Sequence, residues 1–238
     1  MEHKTVSRNE WIAARKALLE KEKEFTKARD RLSEERRALP WVKLDKTYLF
    51  DTAEGRQSLT DLFGHNSQLV IYHFMFGPGW KAGCPGCSFL ADHIDGANLH
   101  LAHHDVSLVA VSRAPLGEFL PYKKRMGWRF KWVSSYGSDF NFDFQVSASE
   151  ADKARGKMTY NYETFDATDE LPGISVFYKN GGGDVFHTYS SYARGGDILI
   201  GAYNYLDLTP KGRNESEIMD WMRRHDEYED AQASCCRA

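Results

Sequence analysis

The 238 residues of this chain carry a formal net charge of −3, with 42% hydrophobic and 27% charged residues. This composition is ordinary for a globular protein and argues against the basic face of nucleic-acid-binding proteins. The first residues, Met1–Thr5, lack the apolar core of a signal peptide, and no apolar run approaches the length of a membrane span. We therefore expect a cytoplasmic protein with no nucleic-acid partner and no membrane partner.

A charge-rich helix is predicted at the N-terminus. Ser7 and Glu10 have the spacing of a capping box, and Pro40 ends the helical pattern. Apolar side chains fall roughly on one stripe of this helix, namely Trp11, Ala14, Leu18 and Phe25. We expect the helix to pack on its own domain or on a second subunit, which would make a homodimer through the N-terminal helix.

Strands and helices alternate in the next part of the chain. In order, they are a short strand (48–50), a helical turn (58–63), a buried strand (68–76), a helix (88–103), a second buried strand (106–111), a helix (116–126) and a short strand (128–135). This alternation predicts a mainly parallel sheet with helices on both faces.

The following segment is less regular. Residues 136–170 are rich in Phe, Tyr, Asp, Asn and Ser without a clear period, which indicates an insertion with one short helix near 149–156. Two apolar runs, at 174–178 and 185–189, flank Asn180–Gly183 and predict a β-hairpin.

These patterns divide the chain into three regions. An N-terminal helical extension covers 1–40, and a domain covers 41–210 with the insertion inside it and a last helix at 195–206. A C-terminal helix and tail cover 211–238, where Cys235 and Cys236 are interpreted as incidental thiols of a disordered tail.

Cys84 and Cys87 point most directly to chemistry. They stand between the buried strand and the helix that follows it, so the first sulfur is expected at a helix N-terminus. Backbone N–H groups and the helix dipole stabilise a thiolate there, lower its pKa and make it a nucleophile. The second thiol, one turn on, can then attack a mixed disulfide and release the product. Four cysteines in a cytosolic chain also favour catalysis or metal binding over structural disulfides.

The cysteine pair follows the first central strand, Pro172 comes just before the next-to-last strand, and a hairpin and helix close the domain. Over about residues 44–206 this order resembles the thioredoxin fold, an α/β fold whose central mixed sheet is flanked by helices. The resemblance implies that Pro172 is a cis-proline lying against the cysteine pair, although an ordinary trans proline opening a strand is the alternative. It also implies substrate contacts from the residues Trp80, Pro85, Gly86 and Leu171.

Three positions depart from the thioredoxin pattern. Pro85 and Gly86 reverse the usual Gly-Pro order, which leaves the redox potential open. Trp80 lies four residues before Cys84, whereas thioredoxins place a tryptophan directly before the first cysteine. The place of a buried carboxylate that accepts a proton falls on His73, whose imidazole can do the same work or can be a core residue.

Further matching phrases run along nearly the whole chain: Trp11–Leu19, His73–Pro78, Val111–Pro115 and Leu206–Arg213. They resemble an uncharacterised bacterial family that is generally described as thioredoxin-like, with a predicted dithiol–disulfide oxidoreductase activity. The resemblance implies catalysis by Cys84 as nucleophile and Cys87 as resolving thiol, with no bound cofactor. Its partners would be a protein or small-molecule disulfide as substrate and a reductase or small thiol as electron source.

A peroxiredoxin-like thiol peroxidase is one alternative function, because peroxiredoxins share this fold. Their motif places a proline and a threonine ahead of the reactive cysteine, but Pro78 is one residue too close to Cys84 and Lys81 takes the threonine position. Arg113 or Arg129 could polarise a peroxide, and each is more simply an ion-pair residue.

A non-catalytic zinc-binding or protein-interaction module is the other alternative. The residues Cys84, Cys87, His100 and His104 have the spacing of a Cys2His2 zinc site. Ala91 and Ala97 stand where a zinc finger carries its core residues, which argues against metal.

Overall fold

The computed structural model describes residues 3–228, so Cys235 and Cys236 lie outside the described residues. The chain forms two compact units, one ending at Pro40 and the other beginning at Trp41. Among the described residues, no helix combines the length and the apolar composition needed to cross a bilayer.

The first unit contains helix α1 (Arg8–Arg37). The predicted capping box is present, because the Ser7 side chain accepts from the Glu10 N–H and the Glu10 carboxylate accepts from the Ser7 N–H at 2.9 Å. None of the residues of α1 is buried. Its large apolar side chains are therefore exposed, including Trp11, Leu18, Phe25 and Leu32.

The second unit combines helices with a large sheet. Its helices are α2 (Leu59–Leu62), α3 (Pro85–Ala91), α4 (Ile94–Ala102), α5 (Leu116–Arg125), α6 (Phe140–Asp143), α7 (Glu150–Arg155) and α8 (Gly201–Leu206), with 3₁₀ turns at Ala193–Leu199 and His225–Glu227. Its strands are β1 (Val42–Lys43), β2 (Leu49–Thr52), β3 (Gly55–Ser58), β4 (Gln68–His73), β5 (Val106–Ser112), β6 (Lys131–Ser134), β7 (Lys157–Tyr160), β8 (Glu163–Asp166), β9 (Gly173–Lys179) and β10 (Val185–Tyr192).

The main sheet has the strand order β1-β10-β9-β4-β5-β6-β2-β3. Strand β4 lies parallel to β5 on one side and antiparallel to β9 on the other, and β9 continues into β10 through the predicted hairpin. This β-α-β unit followed by an antiparallel hairpin is the core arrangement of the thioredoxin fold. The predicted fold class, an α/β fold with a mixed central sheet, is therefore confirmed, and α1 supplies the predicted N-terminal helix. The expectation of a mainly parallel sheet is wrong, because among the described strands of this sheet only β4–β5 and β5–β6 are parallel pairs and the other pairs are antiparallel.

The two faces of the sheet bury two separate cores, because successive residues of a strand point to opposite faces. Leu69 and Ile71 of β4 face a core that includes residues of α2 and α6. Tyr72 and the following Phe74 face the other core, which includes residues of α3, α5 and α8. The cysteine pair belongs to this second face, since Cys87 is part of its core.

The helix expected at 88–103 is divided between α3 and α4, and the division falls at Asp92 and His93. The His93 backbone N–H donates to Leu90 O rather than to Phe89 O, its partner in a regular α-helix. The His93 ring Nδ1 lies 2.8 Å from Phe89 O and forms the hydrogen bond to that carbonyl instead. The other ring nitrogen accepts the Ala202 N–H at 3.1 Å. The imidazole thus replaces a helical hydrogen bond and ties this break to α8.

The insertion contains the hairpin β7–β8, which the sequence analysis did not predict. Asn161 and Tyr162 form its two-residue turn with φ of 51° and 65°. Two-residue hairpin turns are usually recognised in a sequence by a glycine. Here a tyrosine adopts the left-handed conformation instead, so that signal is missing. The short helix expected near 149–156 is present as α7.

The helix expected after residue 210 is absent from the described part of that region. Residues 211–228 form turns and one 3₁₀ turn. The Asp220 carboxylate accepts from the backbone N–H groups of Ser216 and Glu217, and Met219 has a φ of 64°, which a right-handed helix does not allow.

Candidate active site

A tight loop returns the chain from β4 to the first cysteine. The Cys84 N–H donates to Met75 O at 3.2 Å, and the Met75 N–H donates to Cys87 Sγ at 3.4 Å. A Cβ on Gly83 would lie 2.6 Å from the Phe74 ring and 2.8 Å from the Tyr122 ring, so only glycine fits there. The end of β4 thus fixes the position of both sulfurs.

Helix α3 starts at the cysteine pair, as predicted. Cys84 is its N-cap and Pro85 is its first residue, where a proline has no N–H to leave unpaired and a suitable φ. The Ser88 hydroxyl donates to Cys84 O at 2.8 Å and lies 2.7 Å from the Tyr122 hydroxyl. Side chains of α3 and α5 therefore hold this helix start in place.

Cys84 lies where its thiolate is stabilised. The Cys87 thiol donates a hydrogen bond to its sulfur, and the backbone N–H groups of Cys87 and Gly86 donate two more. Together with the positive charge of Arg224, these groups outweigh burial and lower the pKa of Cys84 from 9.0 to about 6. Cys84 is therefore largely a thiolate at neutral pH.

Cys87 has the opposite character. Its side chain is buried, with 2% exposure, whereas Cys84 is partly exposed. Burial and the adjacent Cys84 sulfur raise the pKa of Cys87 well above its ordinary value. The pair therefore consists of one accessible thiolate and one protected thiol.

His73 does not lie under the cysteine pair, contrary to the hypothesis that it accepts a proton there. Its ring stacks on Phe140 and Phe144 in the other core, and its Nε2 lies 2.8 Å from Ser175 Oγ. Burial lowers its pKa to about 3. The neighbouring residue Tyr72 points to the cysteine face instead, and its hydroxyl lies 3.5 Å from Cys87 O.

Pro172 lies beside the cysteines, but the peptide bond before it is trans, so the expectation of a cis-proline is wrong. Pro172 thus precedes β9 with an ordinary trans peptide bond, and hydrogen bonds hold the backbone at Leu171 and at Pro172. The Leu171 N–H donates to Val146 O at 2.8 Å, and Pro172 O accepts from the Tyr160 hydroxyl at 2.8 Å. Leu171 itself packs against the small core of Val146 and Tyr160.

A cavity of about 160 Å³ opens against the two sulfurs. Pro172 and Gly86 line it, whereas Trp80, Pro85 and Leu171 do not contribute to its wall. Trp80 lies instead near Glu170, since a Cβ on Gly77 would be 3.1 Å from the Trp80 Nε1 and 3.2 Å from Glu170 Oε1. The structure thus brings together part of the substrate-contact set predicted from the sequence.

The C-terminal strap, residues 215–228, crosses the cysteine loop, and the sequence analysis did not assign it to the site. Its Arg224 guanidinium donates to Gly83 O at 2.8 Å, and Met219 forms part of the cavity wall. Glu215 anchors the strap by accepting from the Tyr203 hydroxyl at 2.6 Å and from the Trp221 Nε1 at 2.9 Å. Arg125 adds a bidentate pair with Asp226.

The two arginines considered as peroxide ligands both form ion pairs. The Arg113 Nε lies 2.7 Å from Glu170 Oε1, and the Arg129 Nε lies 3.7 Å from Asp95 Oδ2. The zinc alternative also gains no support, because residues 3–228 contain no cluster of three or more His, Cys, Asp or Glu side chains placed to hold a metal ion.

Several solved structures are similar to this chain over about two thirds to three quarters of its length. Peroxidoxin BcpB from Mycobacterium tuberculosis shares 13% identity and a TM-score of 0.41, over 71% of this chain and 97% of its own. The Xanthomonas campestris bacterioferritin comigratory protein, which was studied for its alkyl peroxide reduction, shares 13% identity and a TM-score of 0.44, over 70% of this chain and 96% of its own. A candidate protein disulfide isomerase from Bacteroides thetaiotaomicron shares 15% identity and a TM-score of 0.38, over 74% and 94%.

No curated protein matches this chain in sequence, whereas a family model does. The family model described as bacterial protein of unknown function (DUF899) matches residues 1–228, which include the cysteine pair, Pro172 and the C-terminal strap.

Proposed function

We propose that this chain, which belongs to the DUF899 family of bacterial proteins, is a thiol–disulfide oxidoreductase that uses Cys84 as nucleophile and Cys87 as resolving thiol. The observation that carries this proposal is the contrast between the two thiols at one helix start. The pKa of the partly exposed Cys84 is lowered to about 6, and the pKa of the buried Cys87 is raised. Nucleophile and resolving thiol need this contrast.

The reaction begins when the Cys84 thiolate attacks one sulfur of a disulfide. The disulfide bond breaks, the leaving thiolate takes a proton from solvent, and a mixed disulfide joins Cys84 to the remaining half. Cys87 then loses its proton and attacks Cys84 Sγ, which releases the second half as a thiol. Two electrons have passed from the cysteine pair to the substrate, and an external dithiol or reductase restores the two thiols.

Groups around Cys87 support the second step. The Met75 N–H donates to Cys87 Sγ at 3.4 Å, and this hydrogen bond strengthens when the sulfur becomes negative. The Tyr72 hydroxyl also favours the charged form of Cys87. When Cys84 becomes neutral in the mixed disulfide, its negative charge no longer raises the pKa of Cys87. The resolving thiol is thus activated at the moment when it is needed.

Two serine variants test this function with disulfide reduction in the presence of dithiothreitol. Cys84→Ser should lower disulfide reduction to the rate of dithiothreitol alone, because no accessible nucleophile remains in the pair. Incubated with the substrate disulfide in the absence of dithiothreitol, Cys87→Ser should accumulate a mixed disulfide at Cys84, detected as a mass increase that later addition of dithiothreitol reverses. Full activity of Cys84→Ser would refute the proposal.

Hydrogen peroxide separates this function from a thiol peroxidase. Peroxide reduction needs a single reactive thiolate, so a peroxidase would show fast formation of a sulfenic acid at Cys84 in the Cys87→Ser variant. For an oxidoreductase we expect that oxidation to be no faster than that of a free thiol of similar pKa. A much faster reaction would instead support the peroxidase.

A further inference from the structure

The cavity beside the sulfurs has a mainly apolar wall. Its apolar contributors include Met75, Leu90, Ile174, Ile200 and Met219. At about 160 Å³ it compares with the roughly 150 Å³ apolar cavity that holds benzene in another protein. There is room for one group of the size of an aromatic ring or a short alkyl chain directly against the reacting sulfur.

Apart from the Cys84 thiolate itself, the charged group of the wall is already neutralised. Asp197 is the acidic residue of the wall, and its carboxylate lies 3.1 Å from Arg194 and 3.1 Å from Arg213. Lysine, arginine and histidine are not among the described residues that line the cavity. A substrate that carries carboxylates therefore finds no counter-charge there, and burying such a group unpaired is costly. An ammonium group finds only the Cys84 thiolate, whose charge is lost when it attacks the disulfide. Ser191 remains as a hydroxyl on the wall.

The C-terminal strap restricts access from the side of the cysteine loop. A Cβ on Gly86 would lie 3.1 Å from Met219 Sδ and 3.8 Å from Met222 Cε, so both methionines lie against this loop. The Gly83 carbonyl oxygen already accepts a hydrogen bond from the Arg224 guanidinium, so it is not open to the backbone of a substrate. An extended polypeptide would have to displace these contacts to lie across Cys84, whereas a small molecule that enters the cavity would not.

We propose that the disulfide reduced at this site is a low-molecular-weight disulfide with an apolar substituent. This inference rests on the proposed function and names its substrate class. The apolar half of the molecule fills the cavity and presents its sulfur to Cys84. Attack breaks the disulfide bond, and the released half leaves as a thiol after taking a proton from solvent. Cys87 then attacks Cys84 Sγ and frees the other half in the same way.

A pair of disulfides with arms of nearly equal size tests the proposal on the full chain. Di-n-propyl disulfide has apolar arms, and bis(2-hydroxyethyl) disulfide carries a hydroxyl in place of each terminal methyl. The kcat/KM of each is divided by its rate with dithiothreitol alone, which removes the difference in intrinsic reactivity. We expect a ratio of about tenfold or more in favour of the propyl compound, because an imperfectly paired hydroxyl in an apolar cavity costs about 1–3 kcal/mol, or roughly 5- to 150-fold.

Two variants on the strap provide the matched comparison. Met219→Gln keeps the side-chain size but adds a polar amide to the wall, and it should reduce the ratio at least about threefold by the same cost of burying polar groups. Ile218→Gln makes a similar change at an exposed neighbour, which is not part of the wall, and should leave the ratio unchanged.

The outcomes separate the substrate class from the function. A ratio below about twofold, or normalised reduction of insulin disulfides faster than that of both small disulfides, would overturn the substrate class. The proposed function would survive that result as long as Cys84→Ser abolishes the reaction. If the wild-type chain reduces none of these disulfides above the dithiothreitol rate, both proposals fail.

Discussion

At the scale of single residues, position alone separates the chemistry of Cys84 and Cys87. Cys84 is the N-cap of α3 and Cys87 lies in its first turn, yet Cys84 accepts hydrogen bonds from backbone N–H groups and Cys87 is buried. Arg224, which belongs to the C-terminal strap, adds a positive charge that lowers the pKa of Cys84. The low pKa of Cys84 therefore depends in part on a residue that no local motif contains.

The low pKa of Cys84 makes its reactivity depend on pH in the acidic range. Alkylation by iodoacetamide requires the thiolate, so its rate should rise with pH through a midpoint at about 6 and level off above it. Arg224→Met removes one of the groups that lower this pKa and should move the midpoint upward, by up to about one unit. Arg223→Met, an exposed neighbour, is the control and should leave the midpoint in place. If the wild type, Arg224→Met and Arg223→Met show the same midpoint in the pH dependence of alkylation, the role given to Arg224 is refuted.

At the scale of elements, the cysteine loop depends on the absence of a side chain at Gly83. Gly83→Ala would force a methyl group against the buried rings of Phe74 and Tyr122, at 2.6 and 2.8 Å. We expect a loss of about 1–3 kcal/mol in the free energy of unfolding, together with lower disulfide reduction, because Cys84 follows directly.

Gly96→Ala is the matched control for this change. Gly96 lies in α4, and a Cβ there would have no heavy atom within 4 Å. Alanine favours a helix over glycine by about 1 kcal/mol, so this variant should be as stable as the wild type or more stable. Urea unfolding compares the three proteins, and equal stability of Gly83→Ala and Gly96→Ala would contradict the steric argument.

Helix α1 has an exposed apolar seam with a seven-residue repeat: Trp11, Leu18, Phe25 and Leu32. Helices that supercoil around one another carry a seven-residue repeat with a second apolar position in each repeat, and here Ala14 and Ala28 take that second position in two of the four repeats. Within residues 3–228 no other helix is longer than the ten residues of α5, so a second copy of α1 is the partner of matching length. We therefore propose that two chains associate through α1.

Sedimentation velocity tests this association. Leu18→Glu combined with Phe25→Glu places charges in the seam and should convert a dimer to a monomer. Lys16→Glu combined with Lys27→Glu adds the same number of glutamates at exposed positions outside the seam and should leave the dimer intact. A wild-type chain that sediments as a monomer at micromolar concentration would refute the pairing.

At the scale of the whole molecule, an ion pair joins segments far apart in the chain. Arg113 follows β5 and Glu170 precedes β9, and the Glu170 side chain is only 2% exposed. Burial raises the pKa of Glu170 from 4.5 to about 7, although Arg113 lowers it. The folded chain therefore holds this proton more tightly than the unfolded chain does. The resulting contribution to stability is complete below pH 4.5 and is lost as the pH rises to about 7.

Arg113→Met should destabilise the fold in a pH-dependent manner. At pH 8 it leaves a buried carboxylate without its partner, which costs about 3 kcal/mol. At pH 5.5 the loss should be smaller, because Glu170 then takes up a proton and becomes neutral. Urea unfolding at the two pH values measures the difference, and Glu170→Gln in the same background should remove it. A loss that is equal at both pH values would show that Glu170 does not titrate.

The sequence by itself determined the elements that depend on local pattern. The apolar run at β4, the cysteine pair at the start of α3 and the glycine-rich turn between β9 and β10 were all predictable, because neighbouring residues decide periodicity and turn conformation. The order of these elements, together with the positions of the cysteine pair and Pro172 in it, was also enough to show the resemblance to the thioredoxin fold.

Only the tertiary structure decided which side chains meet at the cysteines. Tyr72 rather than His73 faces Cys87, since the side of the sheet that α3 covers is set by packing and not by the strand's own pattern. Arg224 reaches Gly83 across 141 residues of sequence. No local period encodes such a contact, because its energy depends on every element packed between the two residues.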